Sequence, residues 1–338
     1  MSLHTALRDV LGIEHPIVQA PIGSATCPAL AAAVANAGGL GTLAVTWRDP
    51  DETRSVIRET RGLTDAPIGV NLVLDERAKT VDTDVHLDGC LAAGVDVVSF
   101  SFGEAAPYVD RVHDAGGVVV ETVGSAAEAR TAAEAGVDAV VAQGWEAGGH
   151  VQSEVATMAL VPRVADAVSV PVIAAGGIAD GRGIAAALTL GADGAWLGTR
   201  FLATREANVH DTYRERIGET DETGTRYTDL FDKGWPGMAH RVVRNSTIER
   251  WEDAGRPAPG GRPGETDVVA EGSDGSPIER YSEVLATPDV TGDVEAMALF
   301  AGQSVALTDG VRSAGTVVEE LAAETAAVVR NTAELSES

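Results

Sequence analysis

The stretch Gln143-Gly144-Trp145-Glu146-Ala147-Gly148-Gly149-His150 carries the sharpest chemical signal in the chain. A wholly apolar run ends at Gln143, and the residues after it are glycine-rich, partly polar and closed by an imidazole. Imidazole titrates close to neutral pH, so a histidine on such a turn is suited to take a proton from a bound molecule. Two other corners point to an anion. Gly176-Gly177 and Gly198-Thr199 each stand between an apolar run and a helix-like stretch. Bare backbone can approach an anion closely, and a helix start adds roughly half a positive charge. The pair suits a phosphorylated ligand or cofactor. Asn71 and the segment Gln19-Ala20-Pro21-Ile22-Gly23-Ser24 also fall at the ends of apolar runs. The other histidines, His4, His15, His86, His113, His210 and His240, fall mostly on helices, near a terminus or in an insertion, and are set aside. Metal ligation is not expected, because no second His or Cys stands at ligand spacing from His150. Cys27 and Cys90 form no CxxC pair and imply no disulfide framework. Cys27 follows the first loop and stays open as a nucleophile.

These loops need a scaffold that gathers them on one face. Short apolar runs read as strands at Ile17–Ala20, Gly41–Val45, Ile68–Leu72, Val95–Phe100, Val118–Val123, Ala139–Ala142, Val172–Ala175 and Ala195–Gly198. Helical spacing lies between them at Pro28–Ala37, Pro50–Arg61, Val81–Ala93, Ala105–Ala115, Ser125–Ala135, Val155–Ala167 and Gly181–Leu190. Ser125 with Glu128, and Asp180, read as N-caps; Gly38, Gly94, Gly116, Gly136 and Gly191 read as helix ends. The pattern Ala-Gly-Val-Asp at Ala93–Asp96 and Ala135–Asp138, with the related Gly191–Asp193, marks the entry into a new strand. Eight such units within about 185 residues fit a closed (β/α)8 barrel better than an open doubly wound sheet. In such a barrel the chemistry sits at the carboxyl ends of the strands, where His150, Asn71, Gln143, the Gln19–Ser24 segment and the two glycine corners fall.

The rhythm stops after Phe201. The expected organisation is a barrel over residues 1–204, a helical and loop insertion over 205–293 covering the mouth, and helices over 294–338 that return to the barrel. Thr204–Arg216 reads as helix, Asp253–Ser276 as exposed loop, and Ala296–Leu307 and Ala314–Leu335 as helices.

The 338 residues include 51 acidic and 25 basic side chains, for a formal net charge of −26. Among the basic residues only Lys79 and Lys233 are lysines. That excess of charge disfavours nucleic acid, whose phosphates need clustered Lys and Arg. Self-repulsion of this size is screened at about 1 M salt, where the Debye length is roughly 3 Å, so the composition resembles that of halophilic proteins. Hydrophobic residues make up 44 %, enough for a full core. No apolar run is long enough to span a bilayer and Met1–Glu14 is no signal peptide, so a cytoplasmic protein is expected. A homo-oligomer is compatible with this composition.

Together, Gln19-Ala20-Pro21-Ile22, Gly69-Val70-Asn71-Leu72, Gln143–His150, Ala175-Gly176-Gly177-Ile178 and Leu197-Gly198-Thr199-Arg200-Phe201 resemble the nitronate monooxygenase (2-nitropropane dioxygenase) family, FMN-binding TIM barrels. Ala301-Gly302-Gln303 also matches a short motif of that family. The resemblance implies that the backbone of Ala20, Pro21 and Ile22 lies along the flavin ring, and that Asn71 and Gln143 hydrogen-bond to it. It places Gly148 close to the ring, and Gly176, Gly177, Trp196, Leu197, Gly198 and Thr199 around the phosphate. His150 becomes the base toward a neutral nitroalkane or the group that orients a nitronate, with O2 as oxidant and a carbonyl compound and nitrite as products. Ile22 stands where some members have Met, and Glu121-Thr122-Val123 lacks the lysine that many carry there. FMN-dependent enoyl-acyl-carrier-protein reductases, which use NAD(P)H, share the barrel and a similar Glu-Ala-Gly-Gly-His stretch and form the alternative. An IMP dehydrogenase fits less well, because the loop of His150 has no cysteine.

Overall fold

The structure, a computed structural model, describes residues 3–334; Met1 and Ser2 of the amino-terminal stretch and Leu335 of the expected last helix lie outside these residues. Strands β1 (Ile17–Gln19), β2 (Gly41–Ala44), β3 (Ile68–Val73), β4 (Val97–Ser101), β5 (Val118–Val123), β6 (Ala139–Gln143), β8 (Val172–Ala175) and β9 (Gly194–Leu197) form one parallel sheet. β7 (Gly149–His150) lies outside that sheet. The sheet closes through backbone bonds beside β2: Leu40 N–H donates to Ile17 O at 3.0 Å, and Gln19 N–H donates to Leu40 O at 2.9 Å. It is a TIM barrel, with a helix following each of the first seven staves and a four-residue turn of helix, Thr199–Leu202, following β9.

Alternation within each short strand divides the core in two. Val18, Val97, Val120, Val141, Ile173 and Trp196 point into the barrel, and Leu7 and Leu11 of an amino-terminal helix, Ala6–Leu11, join them. That helix is absent from the sequence-based expectations. Val70, Val98, Val119, Val140 and Ala174 point outward against the surrounding helices. Burial of each such side chain is worth about 1.5–3 kcal/mol, which favours a sheet covered on both faces.

The expected caps are present. Ser125 Oγ accepts from Glu128 N–H at 3.2 Å, and Asp180 accepts from the N–H groups of Arg182 and Gly183, each at 3.0 Å. The recurring aspartate has a clear task. Asp96 accepts from Ile68 N–H at 2.8 Å, Asp138 from Val119 N–H at 2.7 Å and Asp193 from Val172 N–H at 3.0 Å. Each carboxylate thus caps the first or second amide of a neighbouring stave, fixing register where a parallel strand begins.

The carboxyl-terminal third departs from the expectations in detail. Ala296–Leu307 is not a helix. Two 3-10 turns, Val294–Ala296 and Gln303–Leu307, flank an extended segment. That segment bonds to β11 (His240–Val243): Val243 N–H donates to Leu299 O at 2.7 Å and Ala301 N–H to Arg241 O at 3.3 Å. Met297, Ala298, Leu299, Phe300 and Ala301 are all buried, and a run buried on every side has no period that separates helix from strand. The insertion also contains strands. β10 (Thr225–Thr228), β11 and β7 form one antiparallel sheet; β13 (Pro277–Glu279), β12 (Val268–Glu271) and β14 (Thr291–Gly292) form another. None exceeds four residues, too short for a visible alternation. The helix expected from Thr204 begins at Asp211 and runs to Glu219. The last helix, Ala314–Glu334, packs on the helix Gly181–Thr189. Among the described residues no helix is long and apolar enough to cross a membrane.

Candidate active site

The carboxyl ends of the staves open onto a cavity of about 480 Å3. Ala20, Pro21, Ile22, Asn71, Gln143, Gly148, His150, Gly176, Gly177, Trp196, Gly198 and Thr199 all line it. Leu197 does not; its side chain lies in the core outside the barrel, and its carbonyl accepts from Ala20 N–H at 2.9 Å. Cys27 does not line it either. Its thiol donates to Glu206 O at 3.1 Å, and burial raises its pKa, which leaves little thiolate for attack. Among the described residues no cluster of three His, Cys, Asp or Glu side chains is placed to hold a metal ion.

Gln143 ends β6 and shapes the loop after it. Its Nε2 donates to His150 O at 3.3 Å and its Oε1 accepts from Gln152 N–H at 2.9 Å. Asn71 is held on the opposite wall, donating to Ser101 Oγ at 3.3 Å and accepting from Ser99 at 3.1 Å. Glu146 accepts from Thr157 N–H at 2.9 Å and from Thr157 Oγ1 at 2.9 Å, and that hydroxyl lies 3.0 Å from Gly176 O. The histidine loop and the first glycine corner are thereby one unit.

The segment Ala301-Gly302-Gln303 is bonded into this unit. Gln303 N–H donates to Glu146 O at 2.9 Å, and Gly302 N–H donates to Thr199 Oγ1 at 2.9 Å. A Cβ on Gly148 would collide with the backbone of Ala301 and Gly302. Close approach of two chain segments therefore accounts for that glycine by itself. Gly198 differs: its φ is −105°, and an added Cβ would make ordinary contacts of 3.6 Å to Ala20 and 3.8 Å to Ile22. Gly177 is left-handed, with φ +72°, yet a Cβ there would come no nearer than 3.4 Å to Glu146. Gly177 and Gly198 are not forced to be bare by crowding, whereas a Cβ on Gly176 would stand 2.9 Å from Gly144 O. That arrangement fits a phosphate seated against backbone.

His150 belongs to β7, which pairs with β11 in register His150 to His240 and Gly149 to Arg241. The insertion thus holds the histidine in place. Its ring lies 4.5 Å from Trp235 and 5.5 Å from Phe300 and His240. His240 carries no signal in the sequence, yet it stands directly behind the candidate base. Its Nδ1 faces Met238 O at 3.0 Å and its Nε2 accepts from Phe231 N–H at 3.3 Å, which fixes a neutral ring; burial pushes its pKa down to about 3. Glu283, also from the insertion, lines the cavity with Oε2 3.2 Å from His150 Nε2. Sequence reasoning missed Glu283, Trp235 and Phe300, because only the folding of the insertion and of the extended segment after it brings them to the barrel.

Arg241 secures the far side of the loop. It is buried, donates to Trp145 O at 3.0 Å and lies over the rings of Trp145 and Tyr227 at 5.0 and 5.5 Å. On β5, Thr122 faces the cavity, whereas Glu121 points away from it and accepts from Ala105 N–H at 2.9 Å. Burial raises the Glu121 carboxyl to about 7. Native Glu121 therefore holds a proton between the unfolded value of about 4.5 and 7, and its contribution to stability is lost as pH rises through that window. Glu121→Gln is expected to stabilise the protein by about 2 kcal/mol at pH 8 and by little at pH 4.5. Thermal unfolding of the two proteins at both pH values checks this.

The chain matches the model of the nitronate monooxygenase family over residues 4–324. The chain belongs to the nitronate monooxygenase family. It is 42 % identical over 259 residues to (3aS,4S,5R,7aS)-5-hydroxy-7a-methyl-1-oxo-octahydro-1H-indene-4-carboxyl-CoA dehydrogenase of Mycobacterium tuberculosis, covering 76 % of this chain and 70 % of the relative. FabK from Thermotoga maritima superposes with TM-score 0.85 at 34 % identity, covering 99 % of this chain and 100 % of that one. A nitroalkane oxidase from Streptomyces ansochromogenes superposes with TM-score 0.77 at 33 % identity, covering 97 % and 99 %. As a member of the nitronate monooxygenase family the chain is an oxidoreductase.

Proposed function

We propose that this chain is an FMN-dependent oxidoreductase that oxidises nitronates and nitroalkanes with O2, with His150 as the base toward neutral substrates. The observation that carries this reading is one cavity shared by His150 and the bare corners at Gly177 and Gly198. The corners would hold the FMN phosphate, with Gly176 and the backbone of Trp196, Leu197 and Thr199 around them. Ala20, Pro21, Ile22 and Gly148 would lie along the flavin ring, and Asn71 and Gln143 would meet its polar edge. FMN bound there would supply a two-electron acceptor for the substrate carbon. Residues 205–293 would act as a lid over the barrel of 1–204, with the chain from 294 returning to it; Trp235 and Glu283 on one side and Phe300 and Gly302 on the other line the cavity, in support.

A second reading has NAD(P)H reduce an acyl thioester, as in enoyl-acyl-carrier-protein reductases. The FabK likeness and the relative that acts on a carboxyl-CoA support it. Flavin bleaching separates the two. The protein, purified in molar KCl and reconstituted with FMN, is mixed without oxygen with an alkyl nitronate or with NADH. Bleaching by nitronate alone is expected; bleaching by NADH alone transfers the assignment to the reductase. Failure to bind FMN defeats both.

The mouth bears on the size of the substrate. Trp47 and Val284 line the cavity while 42 % and 45 % exposed. Apolar side chains left half in water at a cavity mouth gain by covering the tail of a ligand. Each added methylene of a linear nitroalkane is expected to raise kcat/KM about fourfold until the mouth is filled, at roughly 0.8 kcal/mol per buried CH2. Trp47→Ala should flatten that series, and steady-state kinetics across chain lengths reads it directly.

A further inference from the structure

We propose that Glu283 is the positioning residue of His150, fixing Nε2 as the protonated ring nitrogen and leaving Nδ1 as the one able to take a proton. The proposal rests on the reading of His150 as the base.

His150 Nε2 and Glu283 Oε2 stand 3.2 Å apart, with side chains only 13 % and 14 % exposed. Both atoms are buried and neither has a well-directed hydrogen bond to any group, each other included; at 3.2 Å a small turn of the ring or the carboxylate would make one between them. An ionised carboxylate has only acceptor sites, so the ring nitrogen that faces it must carry the hydrogen. In a neutral imidazole the other nitrogen is then unprotonated. A buried polar pair with no alternative partner is costly to leave unmade, which gives this tautomer its preference.

The carboxylate occupies a built seat. Gly234 has φ +129°, and a Cβ on it would meet Glu283 Cγ and Cδ at 2.7 Å. Glycine at that position opens the space the carboxylate fills. Next in sequence, Trp235 packs on the imidazole at 4.5 Å and donates through Nε1 to Asp75 at 3.1 Å, which restrains the plane of both rings. His240 faces His150 from β11, but its two nitrogens are already committed to Met238 and Phe231, so it stays neutral and brings no competing charge. The insertion thus contributes the aromatic wall and the carboxylate, while the barrel contributes the imidazole.

Long-range 1H–15N correlation spectra of the histidine rings test the assignment, with His150→Gln identifying the His150 signals. Wild-type protein at pH 8 is expected to show the Nε2–H tautomer. Glu283→Gln keeps an acceptor oxygen and should retain it, whereas Glu283→Met should populate both tautomers. In turnover of a neutral nitroalkane, Glu283→Met should lower kcat at least tenfold with KM within twofold of wild type, and Glu283→Gln should recover much of that loss. Should Glu283→Met fail to fold, Gly234→Ala displaces the carboxylate while leaving it present and should give the same mixed tautomers. A pure Nε2–H ring in the folded Met or Ala variant, or unchanged kcat in Glu283→Met, overturns the proposal. The spectra require neither FMN nor substrate. A tautomer shift in a protein that does not oxidise nitroalkanes would sustain the positioning role and defeat the proposed function instead.

Discussion

His150→Gln is expected to keep FMN and lose roughly 10²–10⁴-fold in kcat/KM toward neutral nitroalkanes. The substitution removes the imidazole while leaving the glycine corners and the barrel unchanged. Its backbone contributes the pairing of β7 with β11, which a glutamine preserves. Preformed nitronates have already lost the proton, so their oxidation should fall far less. The ratio of the two rates is the diagnostic quantity, because general damage to the site would depress both. Steady-state assays with matched nitroalkane and nitronate, alongside the visible flavin spectrum, check it. Equal loss on both substrates would leave His150 with an orienting role only.

The second large effect lies at the phosphate corner. Gly198→Val is expected to abolish FMN retention through purification while leaving thermal stability within about 1 kcal/mol of wild type. At φ −105° the backbone needs no glycine, and the first added carbon makes only ordinary contacts to Ala20 and Ile22. The branched methyls, however, would stand over the cavity floor that the phosphate is proposed to occupy. Comparison with Gly148→Ala supplies the control: there the Cβ collides with Ala301 and Gly302, so the fold itself should weaken by several kcal/mol. Flavin titration and thermal unfolding separate the two outcomes. Full FMN affinity in Gly198→Val would move the phosphate elsewhere.

The barrel was legible in the sequence because every stave obeys local rules. An apolar run, a capped helix, a left-handed glycine and an entering aspartate recur, and each is satisfied within its own unit or by the stave beside it. Asp96, Asp138 and Asp193 show how far this reaches, since a residue type at a fixed place in the repeat carries a hydrogen bond that sets register. The cavity residues came from the same logic: strand ends in a closed parallel barrel share one face.

What the sequence by itself determined, then, was a (β/α)8 barrel whose mouth gathers His150, Asn71, Gln143 and the two glycine corners. Tertiary structure alone decided how that histidine is held. Glu283 lies 133 positions from His150 in the chain, and the strands of the insertion are too short and its loops too polar for any period to announce them. The same holds for Ala296–Ala301, where burial on all sides erased the pattern and pairing with β11 made the choice. Local preferences act over a few residues and are written in spacing. The contact between an imidazole and a carboxylate from a distant loop has no such imprint, because its energy exists only once both surfaces have been brought together.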